Sequence, residues 1–387
     1  MKLLKYLSLP LTSLFLITGC SFKPDIIVVK DEEKPQKVEK KYEKIPYLKG
    51  NLKKVDFKDL EGFNKDDLGL AFKVFKHSCK KSFKKELFKD VCYVTNSYDN
   101  PYKFFTENFT PFKLYDSKDY DKGVITGYYE PLLYGSLKQS KKYKYPIYKT
   151  PKDLINVDLA SLYPQLKGLT LRGKIEGNKL VPYNDRSILD TKINKKDVLV
   201  WVDNKIDLFF LHIQGSGKVK VTNGDIINIG FSNKNGHPYK SIGKYMIENN
   251  MIGKNTGYEA STQGMKKWFK DNPKKVQEVL NQNPSYVFFQ KNKLGATGSL
   301  GVELTPKRHL AVDRKYIKLG TPVFIKTKNP ISKKNINQLM VAGDTGGAIK
   351  GDIRADFFWG FGKNAEEYAG RMKEQGELFI LLPNSSL

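Results

Sequence analysis

A chain of 387 residues with 40% hydrophobic and 12% aromatic content can fill two ordinary cores, which excludes wholesale disorder. A formal charge of +26 raises nucleic acid as a partner, yet nearly all the bases are scattered lysines, arginine occurs only at 172, 186, 308, 314, 354 and 371, and no nucleic-acid motif is present. A diffuse lysine surface suits attraction to polyanionic envelope polymers, or follows from codon bias with no function.

Lys2 and Lys5 flank an apolar run, interrupted by Pro10, that ends at Ile17-Thr18-Gly19-Cys20. A basic start, a short apolar core and small residues before the cut describe a secretory signal peptide over residues 1–20, too short for a comfortable membrane span. Its ending resembles a bacterial lipobox, which would acylate Cys20 and leave the mature protein hanging from a membrane in an extracytoplasmic space. Residues 21–45 are charged and lack sustained apolar periodicity, so they read as a tether. Cys79 and Cys92 then allow a single disulfide, with two buried thiols as the alternative.

Leu68, Phe72, Phe75 and Cys79 recur at helical spacing behind Asp66 and Asp67, which predicts a helix over about 65–80. PYKFFTENFTPF (101–112) reads as packed loop or short helix. From about residue 124 short β-branched and aromatic runs predict strands: GVITGYYEPLLYGS, KYPIY, VLVWVD and KIDLFFLHIQ. In KVKVTNGDIINIGF, alternation around Asn223-Gly224 predicts a hairpin with a type I′ turn. Helices return in ASTQGMKKWFKDNP and after Asn272-Pro273, and strands again in YVFFQ, HLAVDR, PVFIKT, QLMVAG and FILLP. This order suggests an all-β domain inserted in a mixed one.

His77, His212, His237 and His309 match no metal-ligand spacing, so no metal is expected. Ser216 sits in a Gly-Ser-Gly turn rather than a nucleophile elbow. GATGSLG (295–301) lacks the lysine of a phosphate loop. Asp344-Thr345-Gly346 matches the aspartic protease tripeptide, but no second copy exists. The aspartates of AGDTGGAIKGDIRADFFWG (342–360) are more informative. Turn capping is the simplest role for Asp313 and Asp352. Asp356 is hemmed by Phe357, Phe358 and Trp359, and apolar surroundings raise a carboxyl pKa toward the range of a general acid. Aromatic faces also stack on sugar rings, so Asp356 with its neighbours points to glycan cleavage or binding.

With those residues in view, the chain resembles the membrane-bound lytic murein transglycosylase A family from about residue 60 to the end. The blocks that carry the resemblance are TGYYEP (126–131), YPIYKTP (145–151), FFLHIQGSG (209–217), GFSNKNGHPYKSIG (230–243), NPSYVFFQ (283–290), GVELTPKRHLAVDRKYIKLGTPVF (301–324) and the aspartate segment. The resemblance implies a mainly β fold with helices: a double-psi β-barrel domain (46–128 and 242–387), a smaller inserted β-domain (129–241), and a groove between them. It implies Asp356 as the catalytic acid, with Asp344 and Asp313 in support. Thr126, Gly127, Tyr128, Tyr129, Glu130, Gln214, Ser216, Lys350 and Trp359 would serve the substrate, the aromatics as sugar platforms or as ordinary core. Ala355 replaces a glycine common in relatives, and His212 stands where relatives often have glutamine.

The implied partner is the peptidoglycan glycan strand, with no cofactor and no nucleic acid, on the periplasmic side of the outer membrane; a wall-remodelling protein complex is a further partner class. The implied reaction cuts between N-acetylmuramic acid and N-acetylglucosamine without water. A non-catalytic glycan-binding lipoprotein and a two-carboxylate hydrolase using Glu130 are the rival expectations, with a dimeric aspartic protease behind them.

Overall fold

The computed structural model describes residues 42–167 and 169–387. The signal peptide, Cys20 and most of the tether lie outside the described residues. Among those described, no helix is long and apolar enough to cross a membrane.

Six strands close a barrel. Gly123–Glu130 pairs in parallel with Ala355–Phe361, which runs antiparallel to His309–Val312. That strand pairs in parallel with Asn335–Asp344, then come Pro322–Lys328 and Lys373–Pro383, both antiparallel, and the last returns to Gly123–Glu130. Closure leaves none of the six as an open edge, and the barrel is of the expected double-psi class. Alternation along each strand divides the side chains. Ile125, Tyr129, Leu310, Val312, Met340, Ala342, Phe357, Trp359 and Ile380 fill the interior. Leu339, Val341, Phe324 and Phe379 face outward onto a helical layer.

That layer is built from Leu68–Ser82, capped by Asp67, whose side chain accepts from Leu70 N–H, and Pro101–Asn108, with Asn100 as cap and proline at the first position. Its phenylalanines, Phe72, Phe75, Phe104 and Phe105, pack edge-on and tilted against one another. A bidentate ion pair fastens the layer to the barrel: Arg308 donates to both carboxylate oxygens of Asp66 at 2.8 Å. The Cys79–Cys92 bridge is formed and links the long helix to the segment after it. Closing a loop of this length stabilises by about 2–3 kcal/mol. Replacing both cysteines by serine is expected to lower the unfolding free energy in denaturant titration by that amount, with reductant losing its effect; an unchanged midpoint would contradict it.

A second sheet has the order Val287–Asn292, Ile226–Lys234, Ser216–Val221, Leu132–Ser136, Val198–Val202, Tyr145–Tyr148. Two expectations change here. KIDLFFLHIQ, expected as a strand, is the helix Lys205–Gln214, started by the Asn204 cap and stopped by Gly215 in the left-handed region at φ 77°. Leu208 and Leu211 pack on the second sheet while Phe209 packs under Met246, Trp268 and Phe269. A helix apolar on both sides has no amphipathic period to distinguish it from a strand. The second sheet also extends beyond residue 241, because Val287–Asn292 joins it and Phe289 fills its core. The barrel strands resume only at His309.

The hairpin at Asn223-Gly224 is present, but its turn is not type I′. Only Gly224 of the pair has positive φ, 94°, and its N–H returns to the Val221 carbonyl at 2.9 Å. This is a type I turn closed by a left-handed glycine.

Candidate active site

The catalytic candidate lies on Ala355–Phe361. On this strand Ala355, Phe357 and Trp359 point into the barrel, so strand parity turns Asp356 and Phe358 to the other face. The parallel register sets Asp356 beside Thr126, and the antiparallel register sets it beside Ala311. Thr126 Oγ1 donates to Asp356 Oδ1 at 2.6 Å, while Arg354 Nη2 donates to Thr126 Oγ1 at 2.8 Å. Arg354 also donates to the carbonyls of Val124 and Ala355, tying the two strands together at this level. The residue as a whole is partly exposed. Burial pushes it up to about 6, against the pull of the Thr126 hydrogen bond and the Arg354 charge; the Asp344 charge adds a little.

Ala311 also pairs with Asp344 on its other side, so the two aspartates flank one small residue across three neighbouring strands. Two strand spacings put their Cα atoms roughly 10 Å apart. Asp344 Oδ1 accepts from Ser299 N–H and hydroxyl, both at 2.9 Å, and from Thr345 N–H at 2.8 Å. Burial raises its pKa, and these bonds oppose the rise. The Tyr128 and Phe358 rings lie 5.0 Å apart, tilted by 40°, in a small apolar cluster with Ala311, Leu304 and Ile349. This cluster forms an apolar floor on the strand face that carries both partly exposed acids.

The other expected residues divide. Thr126 holds Asp356. Tyr128 is buried in the floor, its phenol pKa well above the ordinary value through burial and the Asp344 and Asp356 charges. Gly127 belongs to packing: a Cβ there would meet Trp359 at 2.8 Å and the Ala369 Cα at 2.9 Å. Trp359 and Tyr129 are not sugar platforms. Trp359 lies inside the barrel, stacked on Tyr368 at 4.6 Å with its Nε1 on the Met372 sulfur, and Tyr129 is 3% exposed on the same interior side.

Gln214 uses its Oε1 to accept from Tyr129 N–H at 3.1 Å, linking the helix of the second lobe to the barrel strand. Ser216 opens a strand of the second sheet and is partly exposed. Asp313 is a turn residue: its carboxylate accepts from Lys315 N–H at 3.1 Å and Gly351 N–H at 3.2 Å, fixing the loop that leads into the Asp356 strand. Glu130, 4% exposed, lies on the Thr126–Tyr128 face of its strand; burial lifts it to about 7, with Lys218 Nζ 3.8 Å away.

Besides Arg354 and Ser299, further contributors escape a reading of the sequence. Tyr239, from the second lobe, approaches Asp356 closely enough that the carboxylate, with burial as the larger cause, raises its phenol pKa. Arg172 and Lys350 together lower the pKa of Lys234, already lowered by burial, so cations from both lobes converge beside Lys350. Arg172 is held there by Asn233, whose Oδ1 accepts from its Nε at 2.6 Å. Among the described residues no cluster of three or more His, Cys, Asp or Glu could hold a metal ion.

Residues 124–290 match the family description "MltA specific insert domain", and residues 308–382 match "3D domain". A membrane-bound lytic murein transglycosylase A homolog from Buchnera aphidicola is 32% identical over 282 residues, covering 70% of this chain and 69% of the relative. The crystal structure of MltA from Neisseria gonorrhoeae superposes with TM-score 0.75 at 33% identity, covering 86% of this chain and 92% of that one. The membrane-bound lytic murein transglycosylase from Agrobacterium tumefaciens gives TM-score 0.77 at 28% identity, covering 87% and 98%. On this likeness in sequence and in fold, the chain belongs to the membrane-bound lytic murein transglycosylase A family.

Proposed function

We propose that this chain is a peptidoglycan lytic transglycosylase, a lyase that cleaves the β-1,4 bond between N-acetylmuramic acid and N-acetylglucosamine and leaves a 1,6-anhydromuramic end. Anchored through a lipidated Cys20 on the periplasmic side of the outer membrane, it would hold the glycan strand in a groove between the barrel and the inserted lobe. The observation that carries the reading is a single carboxyl, Asp356, poised near pKa 6 on an apolar floor with Thr126 and Arg354 fixing its orientation.

Protonated Asp356 gives its proton to the glycosidic oxygen as the bond to C1 breaks and N-acetylglucosamine leaves. The resulting carboxylate takes the proton of the muramic C6 hydroxyl, whose oxygen bonds to C1 and closes the ring. One acid suffices because the nucleophile belongs to the substrate, and well-oriented intramolecular attack reaches effective molarities on the order of 10⁵ M. Tyr239 faces the same carboxyl from the second lobe, where a sugar hydroxyl would pass.

A hydrolase needs a second carboxylate. Glu130 is four residues along the strand from Thr126, roughly 13 Å, beyond the spacing of either hydrolytic class. Asp344 lies nearer the inverting spacing, which makes an inverting muramidase the second reading. Digestion of purified murein tests the proposal: soluble fragments are expected, whereas binding without release would make the protein a glycan-binding lipoprotein.

The pH profile gives a finer check. Activity on the free enzyme requires protonated Asp356, so kcat/KM is expected to fall above about pH 6. Thr126→Val removes a bond that favours the carboxylate, so this limb is expected to move up by about one pH unit. A limb that stays in place would detach the titration from Asp356.

A further inference from the structure

A cavity of about 750 Å³ shares no residue with the Asp356 site. One wall is Lys85, Glu86, Leu87, Phe88 and Asp90, from the segment that the Cys79–Cys92 bridge closes. The turn after the His309–Val312 strand supplies Arg314, Lys318 and Leu319, and Tyr47, directly beyond the tether, completes the mouth through a hydrogen bond to Ser386 at 3.2 Å. Lys85 Nζ donates to the Leu319 carbonyl at 2.8 Å, which holds it against the two other cations. Among the described residues none of the three makes an ion pair.

Three cations at one cavity repel one another; Lys85 is bonded to the Leu319 carbonyl, and Glu86 and Asp90 line the same cavity without an ion pair to any of the three. Their closeness is felt by Lys85, whose pKa is lowered by burial and then by Arg314 and Lys318. Two lysine point charges and an arginine fork match the oxygens of a phosphate. Tyr47 and Leu87, both partly exposed, suit an attached aliphatic chain, and the exposed Glu86 and Asp90 suit an ammonium.

We propose that this cavity binds a phospholipid headgroup bearing a phosphodiester and a primary ammonium, with Lys85, Arg314 and Lys318 on the phosphate and Glu86 and Asp90 on the ammonium. A barrel that grips its own membrane beside the root of its tether would hold the Asp356 face in a fixed attitude to the wall. The lipid site is independent of the catalytic reading.

The test uses the full chain carrying Cys20→Ala, so that it bears no lipid of its own. Calorimetric titrations with dihexanoyl phosphatidylethanolamine, dihexanoyl phosphatidylglycerol and inorganic phosphate are compared below the micellar concentration. Phosphatidylethanolamine is expected to saturate one site and to bind more tightly than either other probe. Arg314→Gln with Lys318→Gln, both on a surface turn, is expected to weaken it at least tenfold while thermal unfolding and murein digestion stay unchanged. Asp356→Asn is expected to leave the titration untouched. Absence of saturable binding, an affinity indifferent to the double substitution, or equal binding of phosphate or phosphatidylglycerol would each overturn the assignment.

Discussion

Asp356→Asn is expected to lower murein digestion by about 10²–10⁴-fold, the contribution of a positioned acid and base, while the protein stays folded. Asparagine keeps the shape and still accepts from Thr126 Oγ1, but it has no proton to give to a leaving oxygen and no basicity to take one back. Stability should move the other way. A carboxyl raised from 3.8 to about 6 binds its proton more tightly in the folded chain than in the unfolded one. Its stabilising contribution is therefore full below about pH 3.8 and is lost as pH rises through 6. The whole shift corresponds to ~3 kcal/mol, and partial exposure reduces it, so the asparagine variant should gain about 1–2 kcal/mol at pH 7 and nothing at pH 3. Inactive protein with a lower melting temperature at neutral pH would mean that Asp356 is a structural group.

Asp66→Ala is expected to have the largest effect on stability. Both Arg308 and Asp66 side chains are buried, 8% and 5% exposed, and besides their bidentate bond each serves Leu339: Arg308 Nη1 donates to its carbonyl, and Asp66 Oδ2 accepts from its N–H at 2.7 Å. Removing the carboxylate leaves a buried guanidinium without a counter-charge, at a cost of about 3–5 kcal/mol. Because Arg308 directly precedes the strand that lies beside Asp356, activity should fail at a lower temperature as well. Adding Arg308→Met removes the stranded charge and should recover much of the loss in denaturant titration. A single variant within about 1 kcal/mol of the parent would contradict this reading of the pair.

How much of this could be read beforehand differs from residue to residue. The aromatic neighbours that singled out Asp356 in the sequence do not all surround it: strand parity leaves Phe358 on its face and turns Phe357 and Trp359 into the barrel. For Trp359 and Tyr129 the sequence left sugar platform and ordinary core both open, and the structure decides for core through parity: with Asp356 and Thr126 on one face, Trp359 and Tyr129 fall on the interior side. The helix at Lys205–Gln214 was hidden by its double burial, which removes the periodic signal. Tyr239 and Ser299 reach the acids only through tertiary placement, from segments 117 and 57 residues before Asp356 in the chain, and no local pattern marks them. The bond between Gln214 and Tyr129 likewise joins side chain to backbone across the two lobes, where composition carries no information.

The central claim is that the substrate's own hydroxyl, rather than water, displaces the leaving sugar while Asp356 handles both protons. Its most direct test is mass spectrometry of murein digested by the purified chain in ¹⁸O-labelled water. The account predicts fragments ending in 1,6-anhydromuramic acid that carry no label. Reducing ends labelled at the anomeric oxygen would contradict it and make the enzyme a hydrolase, with Asp344 as the group that activates water.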